Sequence, residues 1–488
     1  MSFCRGASLL SIFTFVLLLV CFPVGSQQPT LTNAFNVRFK DSTTANGLTI
    51  GTDAACWVDV DNDGWPDLIT GGIVWHNNQG KGFSKLAEGV GSVVSADYDN
   101  DGFPDIFSYS QMKLYHNNAG KSFTEVKLPA LPATSSRGAC WADLNGDGFV
   151  DLYIGGYEDW DRDITYPSMI LMNQAGKGFK LVWTAKEHRT RGVTACDFNQ
   201  SHRTSVYVSN YRLQANQLFI NDGGETFTDR ASQYNVVATS PGFEGGHSIG
   251  ACWGDFDSDG YFDLFAGNFA HVDDRGDQPK SRFLRNKGPQ SAYCFEDMGT
   301  CGVFYQESYA SPAAGDYDND GYLDLFFTTV YGTASFNRQN FPVLFHNDKR
   351  FKFSDATRSA GVDNLPPTYQ AAWADFNHDG CLDLVAGGKL FENTGGTGNS
   401  WIEVHLVGDG HHVNCSAIGA QVRIRLSDKT VTRQVEAGTG EGNQNDLTIH
   451  FGLGNKKGHV ILLITWPDGK LQAIRGVAVN HIVNVKYR

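Results

Sequence analysis

Asp59-Val60-Asp61-Asn62-Asp63-Gly64-Trp65-Pro66-Asp67, DVDNDGWPD in one-letter code, places carboxylates at its first, third, fifth and ninth positions and a glycine at its sixth. Close copies begin at Asp97 (DYDNDGFPD), Asp143 (DLNGDGFVD), Asp255 (DFDSDGYFD), Asp316 (DYDNDGYLD) and Asp375 (DFNHDGCLD), with a worn copy at Asp197 (DFNQSHRTS). Recurrence of one pattern along a chain means recurrence of one structural unit. Oxygen donors at positions 1, 3, 5 and 9, a glycine for the sharp turn and a backbone carbonyl at position 7 compose a cage for a hard cation of calcium's size, whereas magnesium keeps more of its water. Asp and Gly also build plain turns, but six copies that keep the same four positions favour the cage.

The predicted ligands are Asp59, Asp61, Asp63 and Asp67; Asp97, Asp99, Asp101 and Asp105; Asp143, Asn145, Asp147 and Asp151; Asp255, Asp257, Asp259 and Asp263; Asp316, Asp318, Asp320 and Asp324; and Asp375, Asn377, Asp379 and Asp383. The worn copy offers Asp197, Asn199, Ser201, His202 and Ser205, one carboxylate and no glycine. A turn survives such losses and a calcium cage does not, so six structural calcium ions are expected for seven repeats.

Between these loops a second phrase recurs, a hydrophobic pair followed by Asn and then Gly and Phe: VWHNNQGKGF from Val74, LYHNNAGKSF from Leu114, LFINDGGETF from Leu218 and LFHNDKRFKF from Leu344. Each unit reads as four short strands, one entering the acidic loop, one leaving it, and two around an Asn/Gly turn. Seven such units predict an all-β fold, a seven-bladed β-propeller. The seventh repeat stops after LFENTGG at Leu390, and the segment VRFKDSTTANGL from Val37 resembles the last strand of the other units. The N-terminal strand is therefore expected to complete blade seven and remove the open sheet edges. From Asn399 the pattern changes to alternating strands without acidic loops, a small all-β C-terminal domain.

The formal charge is −14, and six divalent ions would bring it close to neutrality. No basic stripe suits nucleic acid. Arg5, the apolar run Leu9 to Phe22 and the small residues Val24, Gly25 and Ser26 read as a signal peptide over 1–26, which leaves a propeller over 27–398 and the last domain over 399–488. No later stretch is long and apolar enough to cross a bilayer, so a secreted, extracellular protein is expected. In an oxidising compartment Cys294 and Cys301, flanking EDMGT, form the favoured disulfide, while Cys56, Cys140 and Cys252 read as buried hydrophobes. Asn199 and Asn414 begin glycosylation sequons.

By these repeats the chain resembles the FG-GAP/VCBS calcium propellers over residues 35–398. SAIGAQV at Ser416, HFGLG at His450 and TWPDG at Thr465 resemble the ASPIC/UnbV module. A propeller joined to that module is similar to the cartilage acidic protein family, which implies a secreted extracellular protein. The resemblance does not extend to the C-terminal EGF-like extension of vertebrate members, so it implies no role that rests on that extension.

Three further motifs invite a functional reading. GHSIG at Gly246 to Gly250 matches a nucleophile elbow by letters, but a strand and an acidic loop follow it where the elbow needs a helix. Gly438, Gly440 and Gly442 do not open a helix, which excludes a dinucleotide fingerprint. Arg275, Gly276 and Asp277 spell RGD in a polar insertion, a possible integrin contact against the reading of a solvated loop.

If the acidic loops share one face, strand alternation places the loops leading into each unit on the other. Those loops carry Asp53, Arg137, Arg191, His247, Glu307 and Tyr369, and the insertions add Trp160, Arg162, Arg212, His271 and Arg338. Mixed ionic and aromatic groups around a central depression suit a ligand. The leading expectation is a non-enzymatic matrix protein that binds a protein or glycan there. The alternative is a secreted lyase or cyclase acting through Arg137, Arg191, His247 and Tyr369, since some fungal proteins with related propellers carry out such chemistry.

Overall fold

The computed structural model describes residues 38–273 and 276–488, which lie in one compact unit. The stretch assigned to a signal peptide and Arg275 fall outside the described residues. Seven four-stranded antiparallel sheets follow one another along the chain. Their first strands are Ala55–Val58, Val93–Ala96, Ala139–Ala142, Thr190–Cys196, His247–Gly254, Tyr309–Gly315 and Ala371–Ala374. In six of the seven, the second strand opens on the ninth-position aspartate, for example Asp67–Thr70 and Asp324–Thr329. Each acidic loop therefore joins the first strand of a sheet to its second.

First and second strands are buried along nearly their whole length, while fourth strands such as Phe83–Glu88 are largely exposed or half-buried. Burial on both faces explains why the first strands read ACWV, VVSA, ACWA and AAWA, small and apolar residues with one Trp in three of the four and no polar alternation. These first strands neighbour one another in chain order, and that of the seventh sheet returns beside that of the first. Phe39–Asp41 pairs antiparallel with Lys389–Asn393 and supplies the fourth strand of the seventh sheet. Chain start and seventh repeat thus complete one sheet, as its sequence implied.

A buried asparagine at the end of each third strand links neighbouring sheets. Asn117 Nδ2 donates to the Val60 carbonyl at 2.7 Å, Asn173 to Tyr98, Asn286 to Phe198, Asn347 to Phe256 and Asn393 to Tyr317. Asn77 donates to Phe376 at 2.8 Å, which joins the first sheet to the seventh. Every acceptor is the second residue of the preceding acidic loop, so the repeated Asn of the second phrase is an inter-sheet staple.

The C-terminal segment forms two further sheets, one of Ile449–Gly454, Ser400–Val407 and Ile482–Lys486, the other of Thr430–Gln434, Gln421–Arg425, His459–Thr465 and Leu471–Ala478. Residues 435–446 leave these sheets and run among the first strands of the others. Trp141 N donates to the Ala437 carbonyl at 2.9 Å, Gly440 N to that of Ala251 at 3.0 Å and Trp57 N to that of Gln444 at 3.1 Å. Gly440 has φ +60°, and a Cβ there would lie 2.2 Å from Ser311 Oγ. The glycine triplet 438, 440, 442 is therefore a close-approach device.

The expected disulfide and the sequon at Asn414 need correction, and the GHSIG and RGD motifs take defined places in the fold. Cys294 and Cys301 remain free thiols, like the other cysteines of the described residues. The intervening EDMGT is largely strand, Phe295–Gly299, and an extended run of about 3.3 Å per residue separates its ends beyond the roughly 7 Å a disulfide tolerates. Asn414 is fully buried, its Nδ2 donating to the Ile418 carbonyl and its Oδ1 accepting from Ile418 N, so this sequon offers no acceptor in the folded protein. Ser248 of GHSIG is buried in a strand, accepting from Asn216 and donating to Asn268. In the RGD hairpin Val272 pairs with Asp277, whose carboxylate meets Lys280 at 3.2 Å.

Candidate functional site

The acidic loops share one geometry. In the first, both oxygens of Asp59 accept backbone N–H groups, from Asp63 at 3.1 Å and Gly64 at 2.8 Å. Asp67 accepts from Val60 N at 2.9 Å and Asn77 N at 2.6 Å, so the staple strand also orients the ninth-position carboxylate. The same bonds recur at Asp97 and Asp105, and at Asp375 and Asp383. Oxygens of Asp59, Asp61 and Asp67 gather within 4.8 Å of one another, as do those of Asp97, Asp99 and Asp105. Asp61 Oδ1, Asp99 Oδ1 and Asp316 Oδ1 are buried with no hydrogen-bond partner. Such orphaned carboxylate oxygens, beside others already oriented by backbone donors, fit a hard divalent cation.

Electrostatics point the same way. Burial, reinforced by neighbouring carboxylates, pushes the Asp59 carboxyl up to about 7 and Asp67 to about 8, and Asp97 and Asp105 to about 7 and about 9. Without a cation these loops favour protons. In four of the six intact loops the residue before the staple Asn faces the cage, a role its sequence did not reveal. His76 Nδ1 lies 3.2 Å from Asp67, His116 Nδ1 3.2 Å from Asp99 and His346 Nδ1 3.2 Å from Asp324. In the fifth sheet Arg285 takes this place and meets Asp257 at 2.6 Å and Asp259 at 3.1 Å, so that loop carries its own partial charge compensation.

The worn loop keeps the turn without the cage. Asp197 accepts from Ser201 N and His202 N, and His202 occupies glycine's place at φ +60°. Gln421 Nε2 of the C-terminal segment donates to the Asp197 carbonyl. That segment covers the acidic end generally: Lys429 Nζ meets the Asp320 carbonyl at 2.6 Å, Thr430 N the Ser258 carbonyl at 3.0 Å, and His450 Nε2 the Asn319 side chain at 2.6 Å.

At the opposite end of the sheets lies a cavity of about 690 Å³, lined among others by Arg137, Tyr157, Glu158, Trp160, Arg191, Tyr211, Arg212, His247, His271, Tyr331 and Tyr369. It brings together Arg137, Arg191, His247 and Tyr369, and adds Trp160, Arg212 and His271. Asp53, Arg162, Glu307 and Arg338 are not among its lining residues. Arg162 pairs with Asp159 at the surface, Arg338 packs on Phe336 and Tyr305, and Glu307 holds His271 at 3.1 Å from behind.

Arg191 is not free for a ligand. It is buried, its guanidinium lies 4.9, 5.4 and 5.3 Å from the rings of Tyr157, Tyr211 and Tyr369, and it pairs at 2.6 Å with Glu441. Glu441 arrives from the C-terminal loop, flanked by Gly440 and Gly442. Burial raises its carboxyl and Arg191 offsets part of that rise. No position pattern announced Glu441, Tyr157 or Tyr211; only the glycine triplet hinted at a backbone threaded through a tight place.

Comparison with known proteins agrees with this architecture. FG-GAP-like repeats match residues 59–108, 97–154 and 316–386, and the ASPIC and UnbV family matches 410–488. Cartilage acidic protein 1 of Mus musculus is 24% identical over 382 residues, covering 72% of this chain and 55% of the relative, and that of Xenopus tropicalis is 25% identical over 383 residues with the same coverage. The chain thus spans about half the length of the curated relatives it matches. Among solved structures, an Agrocybe aegerita lectin recognising non-reducing terminal N-acetylglucosamine aligns at a TM-score of 0.39 and 16% identity, over 64% of this chain and 81% of the lectin, a likeness too low to bear on function. The chain thus carries FG-GAP-like repeats followed by an ASPIC and UnbV segment, and over most of its length it is similar to cartilage acidic protein 1.

Proposed function

We propose that this chain is a secreted, calcium-stabilised extracellular protein. In this reading its seven sheets form a closed seven-bladed β-propeller, its intact acidic loops hold about six structural calcium ions, and the cavity at the other end receives a protein or glycan. The observation that carries the reading is the shared loop geometry, in which backbone donors fix two carboxylates while buried oxygens of a third or of the first are left without partners. Calcium supplies the missing positive charge, and binding to the folded state alone adds stability by mass action. Among the described residues no helix is long and apolar enough to cross a membrane, which accords with export.

Metal content of the purified protein, measured after dialysis at millimolar calcium, should give about six calcium ions per chain. A protein retaining one or none under those conditions would sink the structural-calcium reading. Capture from intact extracellular matrix should recover a partner whose retention depends on the cavity residues Arg137 and Trp160. The gathering of Arg137, Arg191, His247 and Tyr369 in one cavity also supports a second reading as a lyase or cyclase. Turnover unaffected by replacing any of the four would remove it.

A further inference from the structure

The cavity's charges do not balance, and the imbalance identifies a ligand class. Arg191 is neutralised by Glu441 at 2.6 Å. Glu158 is the single carboxylate shared by two guanidiniums, Arg189 at 2.8 Å and Arg212 at 3.0 Å, which leaves one positive charge over. Arg137 is exposed, lies 5.7 Å from the Tyr157 ring, and forms no ion pair with any described carboxylate. A protein of formal charge −14 thus sets three lining guanidiniums, Arg137, Arg191 and Arg212, against the two carboxylates Glu158 and Glu441 in one concave site, an excess of one cation, with Arg189 outside the lining sharing Glu158.

The same site exposes flat aromatic surface. Trp160 is 69% exposed although it carries Arg212 against its ring at 3.5 Å, and Tyr331 is 56% exposed. Large aromatics left open beside cations at a cavity wall serve stacking. A ligand meeting both demands combines a carboxylate with a flat face of C–H groups and several hydroxyls for the surrounding phenols and imidazoles. A uronic-acid saccharide has that chemistry, and a cavity of about 690 Å³ holds two or three sugar rings. An acidic peptide would satisfy the guanidiniums but bring no face to the exposed rings.

We infer that the cavity binds a carboxylate-bearing oligosaccharide, its acid group on Arg137 and Arg212 and a sugar face on Trp160. This rests on the proposal that the cavity is a ligand site and goes further by naming the ligand's chemistry.

The test is calorimetric titration of the whole chain in millimolar calcium with trigalacturonate, its carboxyl-reduced neutral counterpart and tetraglutamate. Trigalacturonate should bind and weaken as salt rises, with Arg137→Ala and Trp160→Ala each lowering affinity about tenfold or more. Both side chains are exposed, so the variants should melt with the wild type. The neutral trisaccharide and the peptide should bind at least tenfold more weakly. Equal binding of the neutral sugar, preference for tetraglutamate, or no heat with trigalacturonate would each overturn the assignment. The ligand-site reading itself fails on a different result, a matrix partner captured equally by wild type, Arg137→Ala and Trp160→Ala.

Discussion

At one end of the seven sheets, carboxylates crowd into repeated loops and the C-terminal segment lies over them. At the other, cations and aromatics line an open cavity. The first end is uniform because every loop repeats the same backbone-to-carboxylate bonds, from Asp59 with Gly64 to Asp375 with Gly380. The second is irregular because its residues come from unrelated connections of different length, and they meet only because the sheets converge there. The C-terminal loop 435–446 links the ends, since it leaves the covered face and delivers Glu441 to Arg191 beneath the cavity. In the proposed reading the regular end serves stability and the irregular end recognition, and each can be disturbed separately.

Removing calcium should have the largest effect and should act on the acidic end alone. If six sites were each about tenfold saturated and independent, their joint contribution would be on the order of 8 kcal/mol, comparable with a typical folding free energy. A chelator should therefore lower the melting temperature by many degrees, read by scanning calorimetry. The chelated protein should also respond to pH with a definite sign. Asp59, Asp67, Asp97 and Asp105 have carboxyls raised from 3.8 to between about 7 and about 9, by burial first and further by neighbouring carboxylates of the same loops, against the lowering effect of their backbone hydrogen bonds. Groups raised in the folded state stabilise it below their unfolded value and lose that contribution as pH rises through the folded value. Metal-free protein should thus melt higher at pH 5 than at pH 9, and saturating calcium should flatten the dependence; the opposite slope would contradict the crowding described here.

Next in size is the link between the ends. Arg191→Ala strands the buried Glu441 carboxylate, and breaking a buried pair costs about 3–5 kcal/mol, whether or not calcium is present. Arg137→Ala, at the same cavity but exposed, should leave the melting temperature within a degree or two. Smaller still is one inter-sheet staple. Asn117→Ala removes a buried bond to the Val60 carbonyl and should cost about 1–3 kcal/mol in chemical denaturation.

The acidic end was largely legible in the sequence because a periodic motif states its own geometry. All-β architecture, one acidic loop after each first strand, and completion of the seventh sheet by Phe39–Asp41 follow from it. The Asn of the second phrase was visible, but its acceptor lies one repeat away and no local pattern names it. His76, His116, His346 and Arg285 stayed hidden for a similar reason, since their approach to the cages depends on strand pairing. Alternation did bring Arg137, Arg191, His247 and Tyr369 into one cavity, yet Glu441 is 250 residues from Arg191 in the chain and arrives by tertiary packing alone. EDMGT misled because turn-like composition formed a strand, which holds Cys294 and Cys301 apart.

The most direct test compares an intact loop with the worn one in the same molecule. Asp320→Ala removes a cage carboxylate from the sixth sheet, whereas Asp197→Ala removes the one carboxylate of a loop held by Ser201, His202 and Gln421. Both variants should be melted with saturating calcium and with chelator. Asp320→Ala should lose part of the calcium-dependent gain in melting temperature, while Asp197→Ala should keep the full wild-type gain. Equal calcium responses in the two variants, or a wild type whose melting temperature moves by less than about a degree on chelation, would contradict the structural-calcium reading.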